Sequence, residues 1–233
     1  MVVRFLLTND DGIDAPGLAA LQRAIAQLDL GTATVVAPQV QHSGCGHQVT
    51  VERPLTVEER SAAAGIYALD GTPADCTRVA IAHLAPDFDW AIAGINAGGN
   101  LGADAYMSGT VAAVREAAFH GRPAIALSHY IRRPLEIDWD RAIAWTVALL
   151  PELLQRDRPD GWFWNVNFPH LLPTEPDPPW EFCAPSTDPL PVVYDRQGLT
   201  FHYGGRYGDR DRQPGTDVDV CFNGRIAITQ VHL

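Results

Sequence analysis

Basic side chains are in deficit in this 233-residue chain: 17 Lys and Arg stand against 28 Asp and Glu, a formal net charge of −11 at pH 7. Binding polymeric nucleic acid needs a basic face, so that class of partner is not expected. A small phosphorylated substrate stays open, because a bound divalent cation would reverse the field locally. No apolar run approaches the ~18–20 residues needed to cross a bilayer, so no membrane partner is expected either. Met1-Val2-Val3-Arg4 leads directly into a strand. The charged region, apolar core and small-residue cleavage site of a signal peptide are missing there, which makes a cytoplasmic protein the expectation. Cysteine is sparse and scattered, at 45, 76, 183 and 221, with no Cys-x-x-Cys pair. Reduced thiols are therefore expected rather than a zinc site.

What is present is an ordinary globule, 46% hydrophobic and 19% charged, with the length of one large domain or of a domain plus a subdomain. Its first apolar run, Val2 to Leu7, is β-branched and aromatic, as in a strand buried on both faces. The run stops at Asn9-Asp10-Asp11-Gly12. Ligands of an open α/β sheet gather just beyond the carboxyl ends of its strands. Two adjacent carboxylates there repel each other unless a cation sits between them, and hard oxygen ligands suit Mg²⁺ or Mn²⁺. The plainer reading makes Asp10 or Asp11 a helix cap, although Asp14, ahead of Pro16, already offers one.

Further along, Leu18, Leu21, Ile25 and Leu28 are spaced for a helix, and Thr34 to Ala37 reads as a second buried strand. Strand, helix and strand in about 37 residues make a βαβ unit. The loop from Pro38 to Gln48 centres on Ser43-Gly44-Cys45-Gly46, whose glycines let backbone N–H groups approach an anion. Nothing there identifies the base that a nucleophilic Ser or Cys needs, and His47 is open between a structural bond and a substrate contact. Thr72 and Pro73 open a helix. Trp90 to Ala93 is the next strand and empties into the glycine-rich stretch Gly94–Gly102, after which Ser108-Gly109-Thr110 starts another helix. A loop followed by a helix N-terminus is an anion site, and its plain alternative is a turn with Ser108 as N-cap. The glycine spacing is not that of a dinucleotide fold, and no Lys follows as in a Walker loop. Ala124–Leu127 and Phe163–Asn167 read as strands, the latter closing the sheet, with a helix from Asp138 to Leu154 between them. Residues 169–191 hold eight prolines and predict an irregular excursion. Two hairpins are expected to end the chain, Val192–Tyr203 around Gln197-Gly198 and Val218–Ile228 around Asn223-Gly224. The architecture expected is thus α/β, a Rossmann-like and mostly parallel sheet flanked by helices. Residues 1–168 would form the core and 169–233 a Pro-rich and β-hairpin extension.

Four segments, in order, resemble the SurE family (survival protein E) of metal-dependent nucleotidases. They are Thr8-Asn9-Asp10-Asp11-Gly12-Ile13; Val35-Val36-Ala37-Pro38 with Ser43-Gly44 and Gly46-His47; Gly71-Thr72-Pro73-Ala74-Asp75-Cys76; and Gly94-Ile95-Asn96-Ala97-Gly98-Gly99-Asn100-Leu101-Gly102 with Ser108-Gly109-Thr110. The resemblance implies one divalent cation, Mg²⁺ or Mn²⁺, held by Asp10, Asp11, Ser43 and Asn96, with Asp10 and Asp11 central to catalysis. It implies substrate or phosphate contacts from Asn9, Gly44, Asn96, Ser108, Gly109 and Thr110. It further implies hydrolysis of nucleoside 5′-monophosphates, with 3′-monophosphates as an extension, and a homodimer or homotetramer joined through C-terminal segments. The chain departs from the family pattern at Gln39-Val40-Gln41-His42, at Ala103 beside Asp104, and at Met107 after Tyr106.

The chemistry these parts suit is in-line attack of metal-activated water on phosphorus, with helix-end donors on the equatorial oxygens. Two rivals remain. A haloacid-dehalogenase-type phosphatase needs Asp-x-Asp, but Gly12 stands two residues after Asp10. A non-catalytic nucleotide sensor would reuse the same loops.

Overall fold

The computed structural model describes residues 2–157 and 159–233; Met1 and Arg158 lie outside it. Eleven strands are assigned. They are β1 (Val3–Thr8), β2 (Gly31–Pro38), β3 (Val57–Ser61), β4 (Ile66–Leu69), β5 (Trp90–Ala97), β6 (Ala124–His129), β7 (Trp162–Phe168), β8 (Trp180–Phe182), β9 (Tyr194–Gln197), β10 (Thr200–Tyr203) and β11 (Ile226–His232). The helices are α1 (Pro16–Leu28), α2 (Pro73–Val79), α3 (Asp104–Met107), α4 (Gly109–Phe119), α5 (Trp139–Gln155) and α6 (Asp217–Phe222). Nine strands form one sheet in the order β3-β4-β2-β1-β5-β6-β7-β11-β8. From β4 to β7 every neighbouring pair is parallel, while β3 and β11 pair antiparallel. This is the mostly parallel, helix-flanked sheet that the sequence predicts.

The pleat of β1 explains why its run is apolar throughout. Phe5 and Leu7 enter one core with Leu18, Leu21 and Ile25 of α1 and Leu149 and Leu150 of α5. Leu6 enters the opposite core with Cys76 of α2 and Val111, Val114 and Ala117 of α4. Each face is thus covered by its own pair of helices, the arrangement that buries parallel strands on both sides. α2 starts on a reciprocal capping box in which the Asp75 amide donates to Thr72 Oγ1 at 3.1 Å and the Thr72 amide donates to Asp75 Oδ2 at 3.0 Å. It widens into a π-helical turn over Ala80–Leu84. No helix among the described residues is long and apolar enough to cross a membrane.

Three local expectations are corrected. Asp14 does not cap α1: the N-cap position is Ala15, without a side-chain bond, and Asp14 is exposed. Phe163–Asn167 does not close the sheet, because β11 pairs antiparallel along β7 and β8 pairs parallel with β11. Asn223-Gly224 is not a hairpin turn. Residues 217–222 form α6, Asn223 ends it, and Gly224, at φ +79°, turns the chain into β11. The alternation Val218-Asp219-Val220 mimics a strand, a known ambiguity of short segments. The Asp217 carboxylate, which accepts from the Val218 amide at 2.9 Å, and burial of Val218, Val220 and Cys221 against Leu101 and Ala227 favour the helical turn. The other expected hairpin forms, β9 against β10, with its turn at Gly198-Leu199, one residue later than the expected Gln197-Gly198.

Candidate metal and phosphate site

Because β2, β1 and β5 are adjacent and parallel, the loops leaving Pro38, Thr8 and Ala97 open on one edge of the sheet. Hydrogen bonds tie these loops together across long stretches of chain. The Asp10 carboxylate accepts from the Thr110 hydroxyl at the start of α4, and the Asp10 carbonyl accepts from the His42 amide at 2.8 Å. Asp11 accepts from the Ala97 amide at 3.1 Å and from Gln41 Nε2 at 3.2 Å. Gln41 Nε2 also donates to Ser43 Oγ at 2.8 Å, which sets the Ser43 hydroxyl beside Asp11. A cleft of about 510 Å³ opens next to Asp11, lined by Gln39, Gln41, Pro16 and Ala97.

The two carboxylates differ in setting. Asp10 is buried and Asp11 is half-buried. Burial, with a smaller contribution from the negative charge of Asp11, pushes the Asp10 carboxyl up to about 6, against the Thr110 hydrogen bond. Neither carboxylate has a basic partner among the described residues. No group of three or more His, Cys, Asp or Glu side chains gathers as a metal site among them, so any hard cation here draws on hydroxyl and amide oxygens as well.

Asn96, at the end of β5, donates its amide to the Gly98 carbonyl at 2.8 Å, which fixes the side chain next to the Ala97–Asp11 bond. Asn9 is buried and donates to the Gly12 carbonyl at 2.7 Å, leaving its Oδ1 buried without a donor. Ser43 and Gly44 are exposed, and Gly44 adopts φ +68°, where glycine is favoured. Ser108 does cap α4, accepting from the Val111 amide at 3.1 Å; as an acceptor it keeps its own proton to donate. Gly109 is packed so closely that a Cβ there would stand 2.8 Å from Asp10 Cβ and 3.1 Å from Cys45 Sγ. The structure thus brings Asp10, Asp11, Ser43, Ala97 beside Asn96, Gly109 and Thr110 together, while Asn9 serves the turn below them. Of the departures from the family pattern, Gln41 is the link between Asp11 and Ser43, and the Met107 carbonyl accepts from the Gly46 amide at 3.0 Å.

Two shells hold these loops. On one side the glycine-rich stretch is gripped by the last third of the chain. The Asn100 amide donates to Asn167 Oδ1 at 2.7 Å, and the Gly102 amide donates to Asp217 Oδ2 at 2.7 Å. Arg210 Nη1 meets Asp104 Oδ2 at 2.7 Å, Arg210 Nη2 donates to the Leu101 carbonyl at 3.1 Å, and the Tyr207 hydroxyl donates to Asp104 Oδ2 at 2.6 Å. On the other side, buried Glu116 of α4 accepts from Arg78 at 2.8 Å and contacts His47 Nε2 at 2.7 Å and His120 Nε2 at 3.1 Å. His47, open between two roles in the sequence, is here engaged with Glu116. Nothing in the sequence points to Arg210 or Tyr207, because neither a buried arginine nor a tyrosine bonded to a distant carboxylate carries a motif. Gln41 is visible only as a departure from the family pattern.

The family model described as Survival protein SurE matches residues 5–187. A protein of Synechocystis sp. with a provisional 5′-nucleotidase name is 54% identical over 231 residues, covering 99% of this chain and 100% of the relative. The 5′-nucleotidase SurE of Geobacter sulfurreducens is 39% identical over 239 residues, covering 99% of this chain and 88% of the relative. The crystal structure of the SurE protein from Aquifex aeolicus superposes with a TM-score of 0.85 at 30% identity, covering 98% of this chain and 93% of that one.

Proposed function

The chain belongs to the SurE family, and from that premise we propose that it is a metal-dependent 5′-nucleotidase, a phosphoric monoester hydrolase that converts nucleoside 5′-monophosphates to nucleoside and phosphate. Nucleoside 3′-monophosphates are its further substrates. The observation that carries the reading is the Asp10-Asp11 pair, joined by hydrogen bonds to the 41–43 loop, to β5 and to the first turn of α4, with no basic side chain opposing it among the described residues.

The residues present fit one hard divalent cation, Mg²⁺ or Mn²⁺. Two carboxylates, the Ser43 hydroxyl and the Asn96 amide oxygen are all oxygen donors, the set such ions take. Burial and, to a smaller extent, the Asp11 charge raise the Asp10 carboxyl, a cost that a cation at the pair would offset, and the unpartnered Asn9 Oδ1 is one more acceptor in need of a donor. When bound, the cation supplies neutralisation of the phosphate dianion and activation of water.

The remaining work falls to the chain. Thr110 holds one oxygen of Asp10 and thereby its rotamer. Gln41 and the Ala97 amide hold Asp11 from two sides. The first amides of an α-helix have no intrahelical partner, so those of Gly109 and Thr110 are donors for phosphate oxygens, with the Ser108 proton beside them. Gly44 lets the 43–46 loop present its backbone without a side chain in the way.

The exposed apolar side chains of the β9–β10 hairpin, Tyr194, Leu199, Phe201 and Tyr203, support a homodimer or homotetramer contact there. Four free cysteines support a reducing, cytoplasmic compartment.

The test is turnover of an aryl phosphate, then of a panel of 5′- and 3′-nucleotides, with Mg²⁺ or Mn²⁺ and with EDTA. Activity is expected only with the metal. Full turnover in a rigorously metal-free preparation would overturn the proposal.

A further inference from the structure

Strands β6 and β7 run parallel to β5, so their carboxyl ends open on the same edge as the Asp10-Asp11 crevice, one and two strands further along. A second cleft of about 450 Å³ lies there, within the range of small-ligand sites. Its walls are Tyr130 after β6, His170 after β7, Phe222 and Asn223 at the end of α6, and two arginines, Arg132 and Arg212.

The charge of this cleft is opposite to that of the molecule. The sequence contains no lysine, so all 17 of its basic side chains are arginines, and many of them are spent on carboxylates, as in Arg4–Asp89, Arg53–Asp70, Arg78–Glu116 and Arg225–Glu181. Arg132 and Arg212 have no carboxylate partner among the described residues, and both are exposed. The one carboxylate lining the cleft, Glu175, accepts from the Leu172 amide.

Both arginines are placed by their surroundings. Arg212 lies over the Phe222 ring at 4.6 Å and donates from Nη2 to the Gly208 carbonyl at 2.9 Å; the stacking and this bond fix its plane and leave its other N–H groups for an anion. The Arg132 backbone is held by buried His170, whose Nδ1 accepts the Arg132 amide at 2.9 Å while Nε2 donates to the Glu136 carbonyl at 3.0 Å. Tyr130 stacks on Phe222 with ring centroids 4.5 Å apart and gives the cleft an aromatic wall. Two forked cations beside an aromatic wall are complementary to an organic phosphate with a planar ring.

We propose that this cleft is a second anion site, distinct from the metal crevice, that binds a phosphorylated ring compound of mononucleotide size through Arg132 and Arg212. Its occupant would also bear on the crevice. Tyr130 stacks on Tyr207 at 5.9 Å, and Tyr207 is bonded to Asp104 in the glycine-rich stretch.

The test uses the full chain in EDTA with AMP as the probe. Without a cation the crevice sets two carboxylates against phosphate beside its helix-end donors, so binding that survives EDTA is assigned to the arginine cleft by its loss with Arg132 and Arg212 and its persistence in Ser108→Ala. Calorimetric titration is expected to give one AMP per chain, weakened at least ~10-fold in Arg132→Ala/Arg212→Ala and by raised salt, and unchanged in Ser108→Ala. Turnover of an aryl phosphate in Mg²⁺ by the double variant shows independently that it folds. No AMP binding in EDTA, binding indifferent to the two arginines, or binding lost in Ser108→Ala would each overturn the proposal. Because the measurement excludes metal, it stands apart from any failure of the nucleotidase reading.

Discussion

Arg210→Ala is the most informative single perturbation of the fold. Arg210 is 4% exposed and Asp104 9% exposed, and they meet at 2.7 Å. Removing one partner of a buried pair costs about 3–5 kcal/mol, because the other charge is left without compensation. Asp104 would keep two donors, the Tyr207 hydroxyl at 2.6 Å and the Leu101 amide at 3.2 Å, which places the expected loss near the lower end, about 3 kcal/mol. For a chain of this length each kcal/mol lowers Tm by about 2–4 °C, so Tm should fall by about 6–12 °C. Urea unfolding followed by circular dichroism measures the loss. Adding Asp104→Asn to Arg210→Ala should recover part of it, since the stranded charge is then gone. A loss below about 1 kcal/mol, or no recovery in the double variant, would refute the idea that this pair clamps the glycine-rich stretch.

Three further outcomes are expected. Gly109→Ala should lower kcat at least ~10-fold with an unchanged circular dichroism spectrum, because its Cβ would stand 2.8 Å from Asp10 Cβ and misplacements of this kind are costly in catalysis; wild-type kcat would contradict the packing. Thr110→Val should weaken Mn²⁺ binding roughly 10–100-fold and shift the acidic limb of kcat/KM upward, since the lost hydrogen bond is one that lowers the Asp10 carboxyl; a downward or absent shift would contradict it. Burial raises the Glu116 carboxyl, but hydrogen bonds from His47 and Arg78 outweigh burial and hold it below its ordinary value. Such a group contributes stability above its unfolded value of about 4.5 and loses it as pH falls through the folded one. The stability gap between wild type and Glu116→Gln should therefore shrink on acidification from pH 6 to below 4, and a constant gap in urea titrations would count against that assignment.

The parts of this molecule that could be read in the sequence share a physical signature. β1, β2 and β5 are apolar because both their faces are covered, and Asp10, Asp11, Ser43 and Asn96 each follow such a run, so parallel pairing alone predicts their convergence. Gln41 could not be read in that way. Its bonds to Asp11 and Ser43 depend on the path of two loops, which no periodicity encodes. Val218-Asp219-Val220 has the alternation of a strand and becomes helix where the Asp217 carboxylate gathers the Val218, Gly102 and Ser186 amides and Val218, Val220 and Cys221 are buried. Arg210 has the residue type of a surface position, and only its distant carboxylate, 106 residues away, makes its burial tolerable. β11 reads as a strand, but its place between β7 and β8 is a matter of topology.

That place sets an order of assembly. β8 has one neighbour in the sheet, β11, made more than 40 residues later in the chain. It therefore cannot dock until β11 has found the flank of β7, and the contacts concerned are among the more non-local in the molecule, the kind formed late in folding. Until then the hydrogen-bonding edge of β7 is bare, an invitation to the wrong strand from another chain. Nascent or refolding molecules should be at greatest risk of aggregation in that interval. Pulsed hydrogen exchange during refolding would register it as protection of the amides that join β1 to β2, whose partners lie far closer in the chain, before those of β7 that face β11.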